Sequence, residues 1–139
     1  MLISTKGTNA IRSLVDMADN DGENRYICIS SIANRLNISR KYLESIMTLL
    51  AKNNLVDVAY GKCGGYRLNR KPEEYSLYDI LIVTEDKIQA ASCACIEDDS
   101  CPDKHNCCTL NTYQELDDLI TDYLKNKTIK DLMHKKYKK

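Results

Sequence analysis

The chain has 139 residues, 43% of them apolar, which suits one domain or one domain with an appendage. No apolar run approaches the roughly 18 residues of a membrane helix, and Lys6 and Arg12 interrupt the apolar stretches near the start. The expectation is a soluble, cytoplasmic protein with no signal peptide and no membrane partner. The net charge of zero hides an asymmetry: residues 1–72 carry 11 Lys and Arg against 6 Asp and Glu, and residues 73–139 carry 9 against 14. A basic first half suits a polyanion, and an acidic second half points to a different task.

Residues 5–19 predict a helix, because Ile11, Leu14, Val15 and Ala18 recur at spacings of three and four. Residues 20–24 form a polar turn, and Tyr26-Ile27-Cys28-Ile29 predicts a brief strand. Ser30 is the expected N-cap of a short helix carrying Ile32, Ala33 and Leu36. After Asn37-Ile38, Ser39 caps a longer helix to about Asn53, with Leu43, Ile46, Met47, Leu49 and Leu50 turned inward. A short helix, a tight turn and a longer helix make the helix-turn-helix pattern.

A hairpin follows directly. Leu55 to Tyr60 and Tyr66 to Leu68 are strand-like, and Gly61, Gly64 and Gly65 mark the tip between them. A helix pair followed by such a hairpin predicts a winged helix. Pro72 ends this unit, so residues 1–75 are the expected DNA-binding domain and residues 76–139 a second region.

In that second region Ser76 and Asp79 make a capping box for a linker helix through Tyr78, Ile80, Leu81 and Val83. Residues 90–108 read as a cysteine-rich loop. Thr112 and Glu115 are expected to open a helix over 112–126 holding Leu116, Leu119, Ile120, Tyr123 and Leu124. Its stripe is too apolar for a lone surface helix, and the expected partner is the same helix of a second subunit. Thr128 and Asp131 cap a last turn with Leu132 and Met133, before the tail Lys135-Lys136-Tyr137-Lys138-Lys139. The fold class is therefore mainly α with a small β-hairpin wing: a winged helix-turn-helix plus a long C-terminal dimerisation helix.

A recognition helix reads the major groove mainly with its N-terminal residues. The outward positions there are Ser39, Arg40, Lys41, Glu44, Ser45 and Thr48. Arg and Lys reach phosphates or guanine edges, and Glu accepts from cytosine. Arg35, Lys62, Arg67 and Arg70 are further candidates for phosphate contact. A single unit reads few base pairs, so useful specificity on double-stranded DNA argues for a homodimer on a two-fold site.

Five of the seven cysteines fall between Cys93 and Cys108, and Cys95, Cys101 and Cys107 are spaced by six. Thiolates are soft ligands for iron–sulfur clusters, zinc or copper(I). Zinc sites more often pair ligands two to four residues apart, so the wide spacing favours an iron–sulfur cluster, 2Fe–2S or 4Fe–4S. A zinc site using His105, or reversible disulfides, stays open. The chain has no Cys-x-x-Cys pair, no phosphate-cradling loop and no carboxylate constellation, so no enzyme is expected.

The sequence resembles the iron–sulfur winged-helix repressors typified by IscR and NsrR. The resemblance rests on Ser4-Thr5-Lys6-Gly7, on Ala10 to Asp16, on Ile38-Ser39 with Tyr42-Leu43-Glu44, on Asn54-Leu55-Val56, on Gly64-Gly65-Tyr66-Arg67-Leu68 and on the three-cysteine spacing. It implies a homodimer joined through the helix from Thr112 onward. It implies a cluster on Cys95, Cys101 and Cys107, and DNA contacts from Ser39, Lys41, Glu44 and the wing, here Tyr60, Gly61, Lys62 and Arg67. The chain departs from that family at Tyr60, where Arg is usual, and at Lys62-Cys63, where Pro-Gly is usual. Leu110 and Thr8 occupy the positions that supply a fourth ligand in relatives, so the fourth ligand is left among His105, Cys108, Cys93 or an external small molecule.

Overall fold

The computed structural model describes residues 3–62, 64–90 and 101–134. Cys63, Cys93, Cys95 and the tail from Lys135 lie outside the described residues.

Helix α1 (Thr5–Asp19) starts where the Gly7 N–H donates to the Ser4 hydroxyl at 3.0 Å. Its buried stripe holds Ala10, Leu14, Met17 and Ala18, while Ile11 and Val15 are half-buried. Helix α2 (Ile29–Leu36) follows, and Asn37 turns the chain in the left-handed region at φ 56°. Asn tolerates that conformation better than most residues. Helix α3 (Arg40–Lys52) is capped by Ser39, whose hydroxyl accepts from the Tyr42 N–H at 3.1 Å. Leu43, Ile46, Met47 and Leu50 are fully buried on α3, whereas Leu49 is only half-buried.

Strands β1 (Val56–Ala59) and β2 (Gly65–Leu68) pair antiparallel, with Val56 opposite Leu68 and Ala59 opposite Gly65. The expected strand at 26–29 is corrected: only Ile27 pairs, bridging Tyr66 through reciprocal backbone bonds of 2.8 and 2.9 Å. Ile29 already belongs to α2, so the cap is Cys28 and not Ser30, and it makes no side-chain capping bond. Gly65 makes this bridge possible, since a Cβ there would overlap the Ile27 carbonyl. A 3-10 turn at Pro72–Glu74 carries the chain to Tyr75, which is fully buried. The Tyr75 hydroxyl donates to the Leu55 carbonyl at 2.7 Å and accepts from the Asn69 N–H at 3.1 Å, so its polar end is satisfied within the core.

Helix α4 (Leu77–Thr84) is capped by Ser76, which accepts from Asp79 N at 3.1 Å. Its buried Leu77, Ile80 and Leu81 share one core with α1 and α3. After the cysteine loop, helix α5 (Leu110–Asn126) begins two residues before the expected Thr112, with Thr109 at the cap and no side-chain capping bond. Leu124 is its one buried residue. The last 3-10 turn, Ile129–Leu132, has the expected Thr128–Asp131 capping box and buries Ile129.

Gly65→Ala is expected to break the Ile27–Tyr66 bridge, because the obstructing atoms are backbone and cannot rotate away. The cost should be about 1–3 kcal/mol. Urea unfolding, read with the loss of β-hairpin signals by nuclear magnetic resonance, checks it.

Candidate nucleic-acid interface and cysteine loop

The Ile27–Tyr66 bridge holds the hairpin beside the start of α2, and the ring of Tyr66 reaches α3. A hydrogen bond from Thr48 favours the Tyr66 phenolate, but burial outweighs it and pushes the phenol up. The result is a cleft of about 480 Å³ between α3 and the wing. Arg40, Glu44 and Thr48 line it from α3, Tyr60, Gly61 and Lys62 from the wing, and Cys28 lines it as well. Six of the residues singled out in the sequence thus meet on one concave surface.

Within it Arg40 Nε donates to Glu44 Oε1 at 3.0 Å, an i, i+4 pair with both side chains about half exposed or more. Such a surface pair is worth little, so both groups remain available to a ligand. Ser39, Lys41 and Ser45 are exposed on α3 outside the cleft lining. Tyr60 is 92% exposed.

Arg67 is not brought to this cleft. It follows Tyr66 on β2 and so points to the opposite face of the hairpin. There it pairs with Asp57 at 3.0 Å and its guanidinium lies 4.7 Å from the Tyr26 ring centroid. Arg70 donates to the Asn54 carbonyl at 2.9 Å and stacks over Tyr75. Arg35 makes a forked pair with Asp16, with bonds from 2.7 to 3.1 Å, and that hydrogen bond raises its pKa further. Each of these three arginines also makes a contact within the domain.

Cys28 went unnoticed in the sequence. It is exposed, and hydrogen bonds from the Ser30 backbone and hydroxyl, then the Ser31 backbone and the Arg40 charge, hold its thiol below the ordinary range. The signal was the Ser30-Ser31 pair just after it, at a helix start whose free N–H groups favour an anion.

Among the described residues, hydrogen bonds at Glu85 and at Ala90 tie the segment leading into the cysteine loop to the rest of the fold. At its approach, the Ser4 N–H (3.1 Å) and hydroxyl (2.6 Å) both donate to Glu85 Oε1, placing a carboxylate at the N-terminus of α1. At Ala90 the backbone N–H donates to the Asp117 carboxylate of α5. Cys101, Cys107 and Cys108 are all exposed free thiols. A 3-10 turn at Lys104–Asn106, bearing His105, separates Cys101 from Cys107. The Cys107 thiol is held low by the Thr109 hydroxyl, 3.2 Å away, and then by the Thr109 backbone. Among the described residues no three metal-binding side chains converge. Cys95 and Cys93, the other donors in question, are outside that set.

The Rrf2 family model, described as an iron-dependent transcriptional regulator, matches residues 3–135. The transcriptional regulator IscR of Pectobacterium atrosepticum is 31% identical over 136 residues, covering 98% of this chain and 81% of the relative. The structure of CymR, the global cysteine regulator of B. subtilis, superposes with a TM-score of 0.76 at 27% identity, covering 95% of each chain. The oxidised form of Staphylococcus aureus CymR superposes with a TM-score of 0.72 at 29% identity, covering 99% of this chain and all of that one. Among the described residues no helix is long and apolar enough to cross a membrane. A winged helix with a concave, partly basic face, matched along almost its whole length by named regulators, identifies the chain as a member of the Rrf2 family of DNA-binding transcription regulators.

Proposed function

We propose that the chain is a sequence-specific repressor that binds double-stranded DNA as a homodimer, under the control of an iron–sulfur cluster. The observation that carries the DNA-reading half is the convergence of Arg40, Glu44 and Thr48 with Tyr60, Gly61 and Lys62 on one cleft. With the N-terminus of α3 in the major groove, Ser39, Lys41 and Arg40 meet phosphates and base edges, Glu44 discriminates among bases, and Gly61 and Lys62 bring the wing against the backbone. Arg67 stiffens the hairpin through Asp57 and is a further candidate for phosphate contact. Residues 1–75 form the DNA-binding unit, and residues 76–139 the linker helix, sensor loop and dimerisation helix.

Helix α5 supports the homodimer. It spans 17 residues and buries only Leu124, leaving Leu119 67% and Tyr123 62% exposed along one stripe with Leu116. A matching stripe on a second copy would cover it. The donor set of the loop suits the cluster: Cys101 and Cys107 are exposed, and the Thr109 hydrogen bond favours the thiolate form of Cys107. Cys95 completes the three protein ligands, with His105, Cys108 or Cys93 as the fourth. A cluster held there supplies reversible redox and ligand-exchange chemistry. The chain's own part is to transmit the loop's state, through Asp117 to α5 and through Glu85 to α1, and so to set the spacing of the two α3 helices. On this reading the protein works in the cytoplasm and carries out no catalysis of its own.

A second reading, thiol-based control, is favoured by Cys28. Its thiol sits in the cleft itself, so oxidation there would place new bulk and charge where DNA must enter. A zinc-dependent regulator of the same fold is distinguished by metal analysis.

Lys41→Ala is expected to weaken operator binding and to flatten the dependence of log K on log salt by about one, since one phosphate contact is lost. Fluorescence anisotropy over a salt series measures it. Protein purified without oxygen should hold iron and sulfide and absorb in the visible. Cys101→Ala should lose both while still folding, as read by circular dichroism; stoichiometric iron in that variant would remove Cys101 from the ligand set. Cys28 should be alkylated by iodoacetamide at pH 7 faster than an unperturbed thiol, because its lowered pKa leaves more thiolate. Mass spectrometry of timed digests reads the rate. If Cys28→Ser abolishes oxidative loss of DNA binding in iron-free protein, thiol control takes precedence.

A further inference from the structure

We propose that the groove between α1 and the end of α2 is a docking site for this chain's own basic tail, Lys135 to Lys139, with the Tyr137 ring against its apolar lining and lysines beside Asp16 and Asp19.

The groove has a volume of about 340 Å³, and none of its residues lines the cleft between α3 and the wing. Ile11, Val15, Leu36 and Leu132 give it an apolar lining, and each is only partly buried although it packs on the core. Arg12, Asp16 and Asp19 are its charged groups. Arg12 donates to Asn9 and to the Leu36 carbonyl, and Asp16 holds Arg35. Asp19 is the last residue of α1, whose final turn carries no basic side chain. The partial negative charge at a helix C-terminus disfavours a carboxylate and favours a cation. The pattern therefore suits a segment that combines an apolar ring with ammonium groups.

The course of the chain supplies that segment. Leu132 lines the groove, and two residues later the His134 N–H donates to both Asp19 oxygens, at 3.1 and 3.3 Å. The His134 ring Nδ1 is 3.1 Å from Asp19 Oδ1, and the backbone turns there with φ of 59°. The tail thus starts beside an acidic group of the groove. It reads Lys135-Lys136-Tyr137-Lys138-Lys139. Asp19 and Ile11 are eight residues apart on α1, a rise of about 12 Å. Five extended residues span up to about 17 Å, enough to follow the groove along the helix. Burying the Tyr137 ring on four aliphatic side chains gains apolar contact, and Arg12 can stack on its face. Attachment at His134 keeps the local concentration of the tail high, which offsets the entropy lost on ordering it. A docked tail would tie the segment that follows α5 to the helix-turn-helix without touching the DNA-reading cleft.

The test uses the full-length protein. The chain contains no Phe, so Tyr137→Phe in a deuterated background supplies a single protonated ring to observe against labelled Ile, Leu and Val methyl groups. By nuclear magnetic resonance that ring should give nuclear Overhauser contacts to methyl groups of Ile11, Val15, Leu36 and Leu132. In the wild type, trypsin should cut after Lys135 and Lys136 about fivefold more slowly than in a free peptide of residues 133–139, because the docked tail must first open. Tyr137→Ala should be cut as fast as its own free peptide. A ring at position 137 without contact to those methyl groups, or a wild-type tail cut at the peptide's rate, overturns the proposal. Contacts that pass an isotope filter admitting only pairs between labelled and unlabelled subunits would place the tail in a second copy's groove and overturn it too. Trypsin resistance that survives in Tyr137→Ala overturns the role of the ring.

Discussion

Two backbone hydrogen bonds between Ile27 and Tyr66, 2.8 and 2.9 Å long, attach the wing to the segment that opens α2. An isolated two-stranded hairpin is marginal in water. These bonds give β2 a second neighbour, and the absent side chain at Gly65 lets the two backbones approach. Tyr66 then points to Thr48 on α3, so one residue sets both the height of the wing and its distance from the recognition helix. The cleft that holds Arg40, Glu44, Tyr60 and Lys62 follows from this attachment.

The opposite face of the hairpin is held by charge and stacking. Arg67 pairs with Asp57 across the strands and lies over Tyr26, while Arg70 covers Tyr75. Tyr75 in turn joins Leu55, at the entry to β1, to Asn69 just after β2. Arginines that count toward the basic charge of the first half thus also hold internal contacts.

The core runs without a break from α1 through α3 to α4, and the segment leading into the cysteine loop is tied to α1 at Glu85–Ser4 and to α5 at Ala90–Asp117. On the proposed reading, these two contacts would carry a change in the loop into α5 and into the N-terminus of α1.

Periodicity and local chemistry were enough to read α1, α3, the hairpin and the Ser39, Ser76 and Thr128 caps from the residues alone, since each depends on neighbours within a turn. The Gly64-Gly65-Tyr66-Arg67-Leu68 stretch was legible for the same reason. Tyr26 to Ile29 misled because its β-branched residues suit a strand, while only tertiary pairing decides that one of them bridges and the next enters a helix. Thr112 looked like a cap because a capping box is a common local solution, yet the helix starts at Leu110. Arg67 was singled out on its charge alone, and only the fold shows that it also meets Asp57 and Tyr26 on the other face of the hairpin. Cys28 acquired meaning only when folding set it beside Arg40 and the wing. The amino-acid order by itself determined which elements form, because those preferences are local. The tertiary structure decided which charges and thiols are free to act, because that depends on partners far away in the chain.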